Sequence, residues 1–286
     1  MLSLSGFRHG AIDDFLACWL SNAALPDDEQ KTFDHYYRSY KKHFGPYVRH
    51  WYARQSEELT ELIRDRNTPR VLEVGCGCGT EALWAAIQGA DVTGIDISPD
   101  LLAVATARLG LIEQETGEPL RCEFRPTSVL DVDESNLFDI IFLEQAFHHL
   151  EPRADVVAKL SRLVAPGGHI ILSESNGWNP LLQAALFKLR GTKTIIHHQG
   201  HVWGHERVTI PVALIRNFRP YDLEPVRLQY FRVFPNIPVA DRLRFVDRAL
   251  PSYLKPLFTH FNLVLKRRTP FTREGSRVQA ASRPSC

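Results

Sequence analysis

Residues 71–80 read Val71-Leu72-Glu73-Val74-Gly75-Cys76-Gly77-Cys78-Gly79-Thr80. The run up to Val74 predicts a buried strand, and Thr80 to Gln88 predicts a helix. Between them, three glycines at every second position leave the backbone bare, so a ligand can lie directly on the turn. Glu73 sits two positions before the first glycine, at the end of the strand. A strand, a glycine turn and a helix with an acid at the junction point to a nucleoside-bearing cofactor.

The spacing narrows the choice. A dinucleotide site usually reads G-x-G-x-x-G, whereas this turn reads G-x-G-x-G. A P-loop is excluded because no Gly-Lys-Ser/Thr follows. The next predicted strand, Asp91 to Ile95, ends at Asp96, 21 residues after Gly75. A carboxylate there can accept both hydroxyls of a ribose. Ser98 then caps a helix with Pro99 in its first turn.

With these residues in place, the chain resembles the class I S-adenosylmethionine (SAM) dependent methyltransferases of the small-molecule type, similar to those of ubiquinone and menaquinone biosynthesis. Glu73 to Gly79 match the first motif and Gly94-Ile95-Asp96-Ile97-Ser98 the second. Phe138 to Leu150, which contains Glu144-Gln145-Ala146-Phe147-His148-His149, and Leu163 to Leu172, around Pro166-Gly167-Gly168, complete an ordered set over about residues 65–176. The resemblance implies an α/β fold: a Rossmann-like seven-stranded sheet with helices on both faces and a helical lid from the N- and C-terminal segments. It implies SAM as cofactor, held by Glu73, Gly75, Cys76, Gly77, Gly79, Asp96, Ile97, Thr127, Ser128, Val129, Glu144 and Gln145. At Thr127 the family often has an acid facing the adenine; here a hydroxyl or backbone contact takes that place. The implied activity is methyl transfer to O, N or C of a small-molecule or lipid-like metabolite. Different SAM chemistry on the same fold, such as cyclisation or aminocarboxypropyl transfer, and a non-catalytic SAM-binding partner protein stay open as alternatives.

Composition bounds the rest. The 286 residues, 44% hydrophobic, suffice for one large core plus a lid. No apolar run reaches the ~20 residues of a membrane span, and the N-terminus shows no export signal, so a cytoplasmic enzyme is expected. Five scattered cysteines fit a reducing compartment. Cys76 and Cys78 would need a second pair to bind zinc, and none has the spacing, so no metal is expected. Residues 1–187 carry 16 Lys and Arg against 27 Asp and Glu, and residues 188–286 carry 18 against 6. The basic C-terminal part either faces an anionic partner or complements the acidic part within the fold.

Three units are predicted: an aromatic-rich helical cap over residues 1–65, the methyltransferase domain over 66–268, and a disordered tail over 269–286. Insertions fall at about 177–206 and 236–258. Tyr36, Tyr37 or Tyr40 of the cap can close the cofactor site or touch substrate; packing on the core is the alternative for each. His148 and His149 follow the strand that faces the reactive end of the cofactor, so either can accept a proton, or serve packing and loop hydrogen bonds. His201 and His205 lie in a His-rich loop and have metal-ligand spacing only on a helix, which Gly200 and Gly204 oppose. His201 is therefore a candidate base and His205 a candidate substrate contact. Val239, Leu243, Val246, Leu250 and Leu254 share a helical stripe beside Arg242, Arg244 and Arg248, which predicts a basic amphipathic helix able to touch a lipid surface or cover the substrate. Leu143-Glu144-Gln145-Ala146 replaces the motif of exocyclic-amine methylation, and nucleic acid is not an expected partner.

Overall fold

The computed structural model describes residue 7 and residues 10–22, 25–190 and 208–269. The His-rich loop with His201 and His205, and the tail from 270 onward, lie outside the described residues. Five helices precede the first strand: α1 (Ile12–Asn22), α2 (Asp27–Tyr36), α3 (Arg38–Lys42), α4 (Pro46–Gln55) and α5 (Glu57–Arg64). Gly45-Pro46 separates α3 from α4, with Gly45 extended and Pro46 opening α4. Tyr37 and Ser56 add breaks that the sequence pattern does not show.

The alternating part follows: β1 (Arg70–Val74), α6 (Thr80–Ile87), β2 (Asp91–Asp96), α7 (Pro99–Thr116), β3 (Cys122–Pro126), β4 (Phe138–Glu144), α8 (Arg153–Leu163) and β5 (Val164–Ser175). Then come α9 (Pro180–Arg190), α10 (Pro211–Phe218), β6 (Leu223–Phe231), α11 (Arg244–Ala249) and β7 (His260–Arg267). The seven strands form one sheet in the order β3-β2-β1-β4-β5-β7-β6. β3, β2, β1, β4 and β5 run parallel, whereas β7 is antiparallel to both β5 and β6. The strand order reverses between β1 and β4, which opens a crevice where the glycine turn leaves β1.

Side chains alternate across the sheet with the strand period of two. Leu72, Val74, Leu143, Ile170 and Leu172 pack with Leu160, Leu163, Leu214 and Phe218 on one face. Val71, Ile140, Phe142 and Ile171 pack with Leu59, Ile63, Ala82 and Ala86 on the other. Glu73 follows Val71 by two, so it belongs to this second face, over α6. A separate cluster joins Phe15, Trp19, Phe33, Tyr37, Tyr47 and Trp51 of the N-terminal helices to Leu83 and Trp84 of α6 and Val104 of α7. The edge strands are marked by Glu123 and Arg125 on β3 and by Pro225 on β6, residues that discourage further pairing.

α7 runs on to Thr116 because nothing stops it before Gly117 at φ +69°. One expectation changes. The amphipathic helix expected over 239–254 is not one helix. Residues 238–243 and 252–257 form 3₁₀ turns on either side of the short α11, and Val239 is exposed. Pro251 and Pro256 supply no backbone N–H to carry the helix further. The charge asymmetry is absorbed in part within the fold: Arg227 of β6 reaches Glu58 at 2.9 Å and Glu61 at 2.6 Å on α5.

Leu172 lies fully buried at the centre of the sheet. Leu172→Ala is expected to lower stability in urea unfolding by about 2–5 kcal/mol. Val226→Ala on the exposed edge strand should change it by no more than about 0.5 kcal/mol.

Candidate active site

The glycine turn is built by its own backbone. Gly75, Gly77 and Gly79 have φ of +73°, +51° and +74°, a region that other residues enter only with strain. Gly75 and Cys76 donate their N–H groups to the Ile95 carbonyl at 2.8 and 3.0 Å, which ties the turn to the end of β2. Asp96 completes the tie. Its Oδ2 accepts from Gly77 N and its Oδ1 from Ser98 N, both at 2.9 Å. The two strand ends that the sequence singled out are thus one hydrogen-bonded unit. Ile97 stands beside it with 71% of its surface exposed. Thr127 donates its N–H to the Asp96 carbonyl at 3.1 Å and so borders the same corner. Ser128 caps the short turn Val129–Asp131, and Val129 points into the core.

Of the three cap tyrosines, Tyr36 reaches the turn: a Cβ on Gly77 would lie 2.5 Å from its Oη. Tyr37 is buried, with its Oη 2.5 Å from Thr80 Oγ1 at the start of α6. Tyr40 packs among Tyr37, Phe44, Trp51 and Tyr52.

Acidic groups converge opposite the turn. Glu73 is buried and its Oε2 has no hydrogen-bond partner among the described residues. Glu81, in the first turn of α6, is buried and accepts from Tyr52 Oη at 2.6 Å. Glu144 ends β4. Loss of hydration, and then the charges of Glu81 and Glu144, lift the Glu73 carboxyl well above its usual range. Burial likewise raises Glu81, although Tyr52 works against it. Glu144 is raised well above its usual range by lost hydration and by Glu81 and Glu174. Gln145 turns away from this group: its Nε2 donates to the Ser173 carbonyl and its Oε1 accepts from Ser175 Oγ at 2.8 Å.

The histidine pair follows β4 on the 3₁₀ turn Phe147–His149. His148 Nδ1 lies 2.7 Å from Glu174 Oε2, and the other carboxylate oxygen accepts from Phe147 N at 2.7 Å. This fixes the ring with Nδ1–H toward Glu174 and leaves Nε2 as an acceptor with no hydrogen bond among the described residues. His149 packs against His148 at a tilt of 45°, with ring centres 4.0 Å apart. Farther along, Arg232 lies over Trp51 at 4.3 Å and meets His260 Nε2 at 3.4 Å. Burial, then the Arg232 charge, push His260 well below the usual histidine range and keep it neutral.

Sequence reasoning missed Glu81, Glu174 and Arg232. Two of them had a signal. Glu81 is the one acid in an otherwise apolar helical run, Ala82 to Ile87, and Glu174 stands at a strand C-terminal end, where α/β sheets keep their ligands. Arg232 has none, because only the sheet brings β6 to the site. Among the described residues no cluster has the makeup of a metal site.

These residues fit a sulfonium cofactor. Buried carboxyls with an unpartnered oxygen call for a positive ligand, and SAM brings a sulfonium and an ammonium. A carboxyl whose folded pKa stands above its ordinary 4.5 keeps a proton that the unfolded chain has lost. The ligand-free protein should therefore lose stability as pH rises above the ordinary carboxyl range. Cation binding favours the ionised forms, so SAM affinity should rise over that window and protons should be expelled. Calorimetry in phosphate and in Tris checks this, since proton release makes the two apparent enthalpies differ; equal enthalpies would refute it. Asp96→Ala removes the acceptor of two backbone N–H groups, and Gly77→Val places a branched residue at φ +51° against Tyr36. Each is expected to weaken SAM binding by roughly a hundredfold in the same titration.

Comparison with known proteins agrees with this geometry. Residues 72–172 match the family model described as a methyltransferase domain. A ubiquinone biosynthesis O-methyltransferase of Alkalilimnicola ehrlichii is 33% identical over 188 residues, which is 65% of this chain and 71% of that protein. Its counterpart in Dechloromonas aromatica is 33% identical over 162 residues, 56% and 66% of the two chains. Among solved structures, the magnesium protoporphyrin IX methyltransferase of Synechocystis with bound S-adenosylhomocysteine superposes with a TM-score of 0.56. It is 16% identical, covering 84% of this chain and 95% of that one, a likeness of fold. The chain belongs to the class I SAM-dependent methyltransferases.

Proposed function

We propose that this methyltransferase acts on a hydroxyl oxygen of a small-molecule acceptor, with His148 as general base and Glu174 as its orienting partner. The observation that carries this reading is the 2.7 Å contact between His148 Nδ1 and Glu174, on the turn that directly follows β4. A hydroxyl is a poor nucleophile until its proton leaves, so an oxygen acceptor needs such a base. The similarity to ubiquinone biosynthesis O-methyltransferases supports the same choice of atom. SAM supplies a methyl group on a positively charged sulfur. The chain holds the acceptor oxygen in line with that methyl and excludes water. As the C–O bond forms, the bond from methyl to sulfur would break and leave a neutral thioether; the hydroxyl proton passes to His148 Nε2, and the positive charge gained there is balanced by Glu174.

In this reading the cofactor contacts are Glu73, the glycine turn, Asp96, Ile97, Thr127 and Glu144, and Tyr36 closes over the turn. Residues 1–65 act as a cap on a catalytic domain spanning 66–268, with His149 on the acceptor side; His201 is a further candidate base and His205 a further candidate substrate contact. The acceptor is anionic or lipid-like. Its charge would meet Arg232, whose field reaches Glu144, Tyr40 and His260. Its apolar part, or a lipid surface, would meet the exposed Val239, Phe245, Tyr253 and Leu257 within 237–258. No helix among the described residues is long and apolar enough to cross a membrane. The thiols of Cys76, Cys78 and Cys122, which form no disulfide among the described residues, support a cytoplasmic setting.

His148→Gln is expected to lower the methyl-transfer rate by about 10²–10⁴-fold, and Glu174→Gln by a smaller factor, with SAM affinity unchanged in both. Transfer of labelled methyl from SAM to a panel of phenolic and aliphatic hydroxyl compounds measures this. A His148→Gln enzyme with more than half the wild-type rate would remove the base assignment.

A further inference from the structure

Arg108 of α7 is fully buried, the one arginine among the described residues to be so. Its Nη1 donates to the Cys78 carbonyl at 2.6 Å and to Thr80 Oγ1 at 2.8 Å. Those two partners flank Gly79, the left-handed residue on which the glycine turn passes into α6. The rest of the guanidinium faces rings. Its Cζ lies 4.6 Å from the centre of Trp19, 5.5 Å from Phe33 and 5.8 Å from Phe15. Nε and Nη2 have no hydrogen-bond partner among the described residues, and no ion pair to Arg108 is present there. Trp19 and Phe15 belong to α1 and Phe33 to α2, so the N-terminal helices supply the cage.

A buried cation without a bound carboxylate is a poor packing choice, and an apolar side chain of similar volume would serve stability as well or better. What an apolar residue cannot do is donate to Cys78 and Thr80 together. Arginine can, because its fork presents several N–H groups at fixed angles. The second partner is shared: Thr80 Oγ1 also meets Tyr37 Oη at 2.5 Å, and Tyr37 stands next to Tyr36, whose hydroxyl lies on Gly77. A line of contacts therefore runs from α1 and α2 through Arg108 to the Cys78–Thr80 end of the turn and, by way of Tyr37 and Tyr36, to Gly77.

We propose that Arg108 is a positioning residue for the cofactor: its guanidinium holds the Cys78–Thr80 corner of the glycine turn in binding shape and makes that shape depend on the docking of α1 and α2. Arg108 touches neither cofactor nor acceptor in this role. Its loss lets the corner relax, while the anchor of Gly77 on Asp96 remains. The effect falls on SAM affinity, separately from stability.

Calorimetric titration of SAM into the full chain, with thermal melting alongside, tests it. Arg108→Met is expected to raise the SAM Kd ten- to a hundredfold, and Arg108→Lys, which keeps one donor, to recover most of the loss. Leu163→Ala, a buried change in the opposite core, serves as a control that lowers the melting temperature and leaves Kd within twofold. A folded Arg108→Met protein with Kd within twofold of wild type would overturn the proposal. If that variant does not fold, Thr80→Val decides: a Kd raised threefold or more supports the clamp, and a smaller change rejects it. Trp19→Leu should weaken SAM binding in the wild type and add nothing in a background where Thr80→Val has already cut the line. Additive effects would reject the coupling to the N-terminal helices.

Discussion

The backbone of residues 75–79 is the constraint on which the rest of the site depends. Each of its three glycines stands at positive φ, and each faces an obstacle that a side chain would strike. Ala146 lies against Gly75, Tyr36 against Gly77, and Phe124 with Ala105 against Gly79. The obstacles come from four different elements: the loop after β4, the N-terminal helices, β3 and α7. A turn without side chains is therefore a meeting point of the sheet as well as a ligand surface. Its shape is fixed by three ties of different origin, to the Ile95 carbonyl, to Asp96 and to Arg108.

Around this turn the charges are laid out against stability. Glu73 and Glu81 are buried and Glu144 stands with them, close enough that each raises the cost of ionising another. An interior chosen for stability alone would keep one such acid at most. The arrangement is consistent with a site that completes its charge balance when a cation arrives. At the end of β5, across β4 from β1, a carboxylate is placed differently. Glu174 is hydrogen-bonded to His148 and to Phe147 N, whereas Glu73 keeps an oxygen without a partner. The same functional group is thus paired at one strand end and unpaired at the other.

Much of the fold was legible because its determinants are local. The strand run of Val71 to Val74, the glycine turn, Ser98-Pro99 at the start of α7 and the apolar run Ile140 to Leu143 each state their structure within a few residues. The resemblance to a known family then implied the seven-stranded sheet with helices on both faces, which the structure has. What stayed hidden is non-local. Glu174 lies 26 residues from His148 and Arg108 lies 30 from Cys78, and only the assembled sheet brings either pair together. Gln145 looked like a cofactor ligand by position, yet its positive φ of +47° and its bonds to Ser173 and Ser175 turn it to β5. The stripe over 239–254 misled for the opposite reason: its periodicity is local and real, but two prolines decide against the helix.

The N-terminal helices and the C-terminal strands read as separate additions to the sheet, and the structure joins them. Tyr47 Oη accepts from the N–H groups of Val233 and Phe234 at 2.9 and 2.8 Å, and Tyr47 N donates to Asp241 at 2.9 Å. Trp51 stacks on His260, and Asn262 donates to the Arg54 carbonyl at 2.9 Å. The two ends of the chain thus form one wall on the side of His148, fastened by bonds that span roughly 190 residues of sequence. Solved methyltransferases at 16% identity share the sheet with this chain. The bonds between the terminal segments lie outside that shared sheet order, and a change in either segment reaches the other across them.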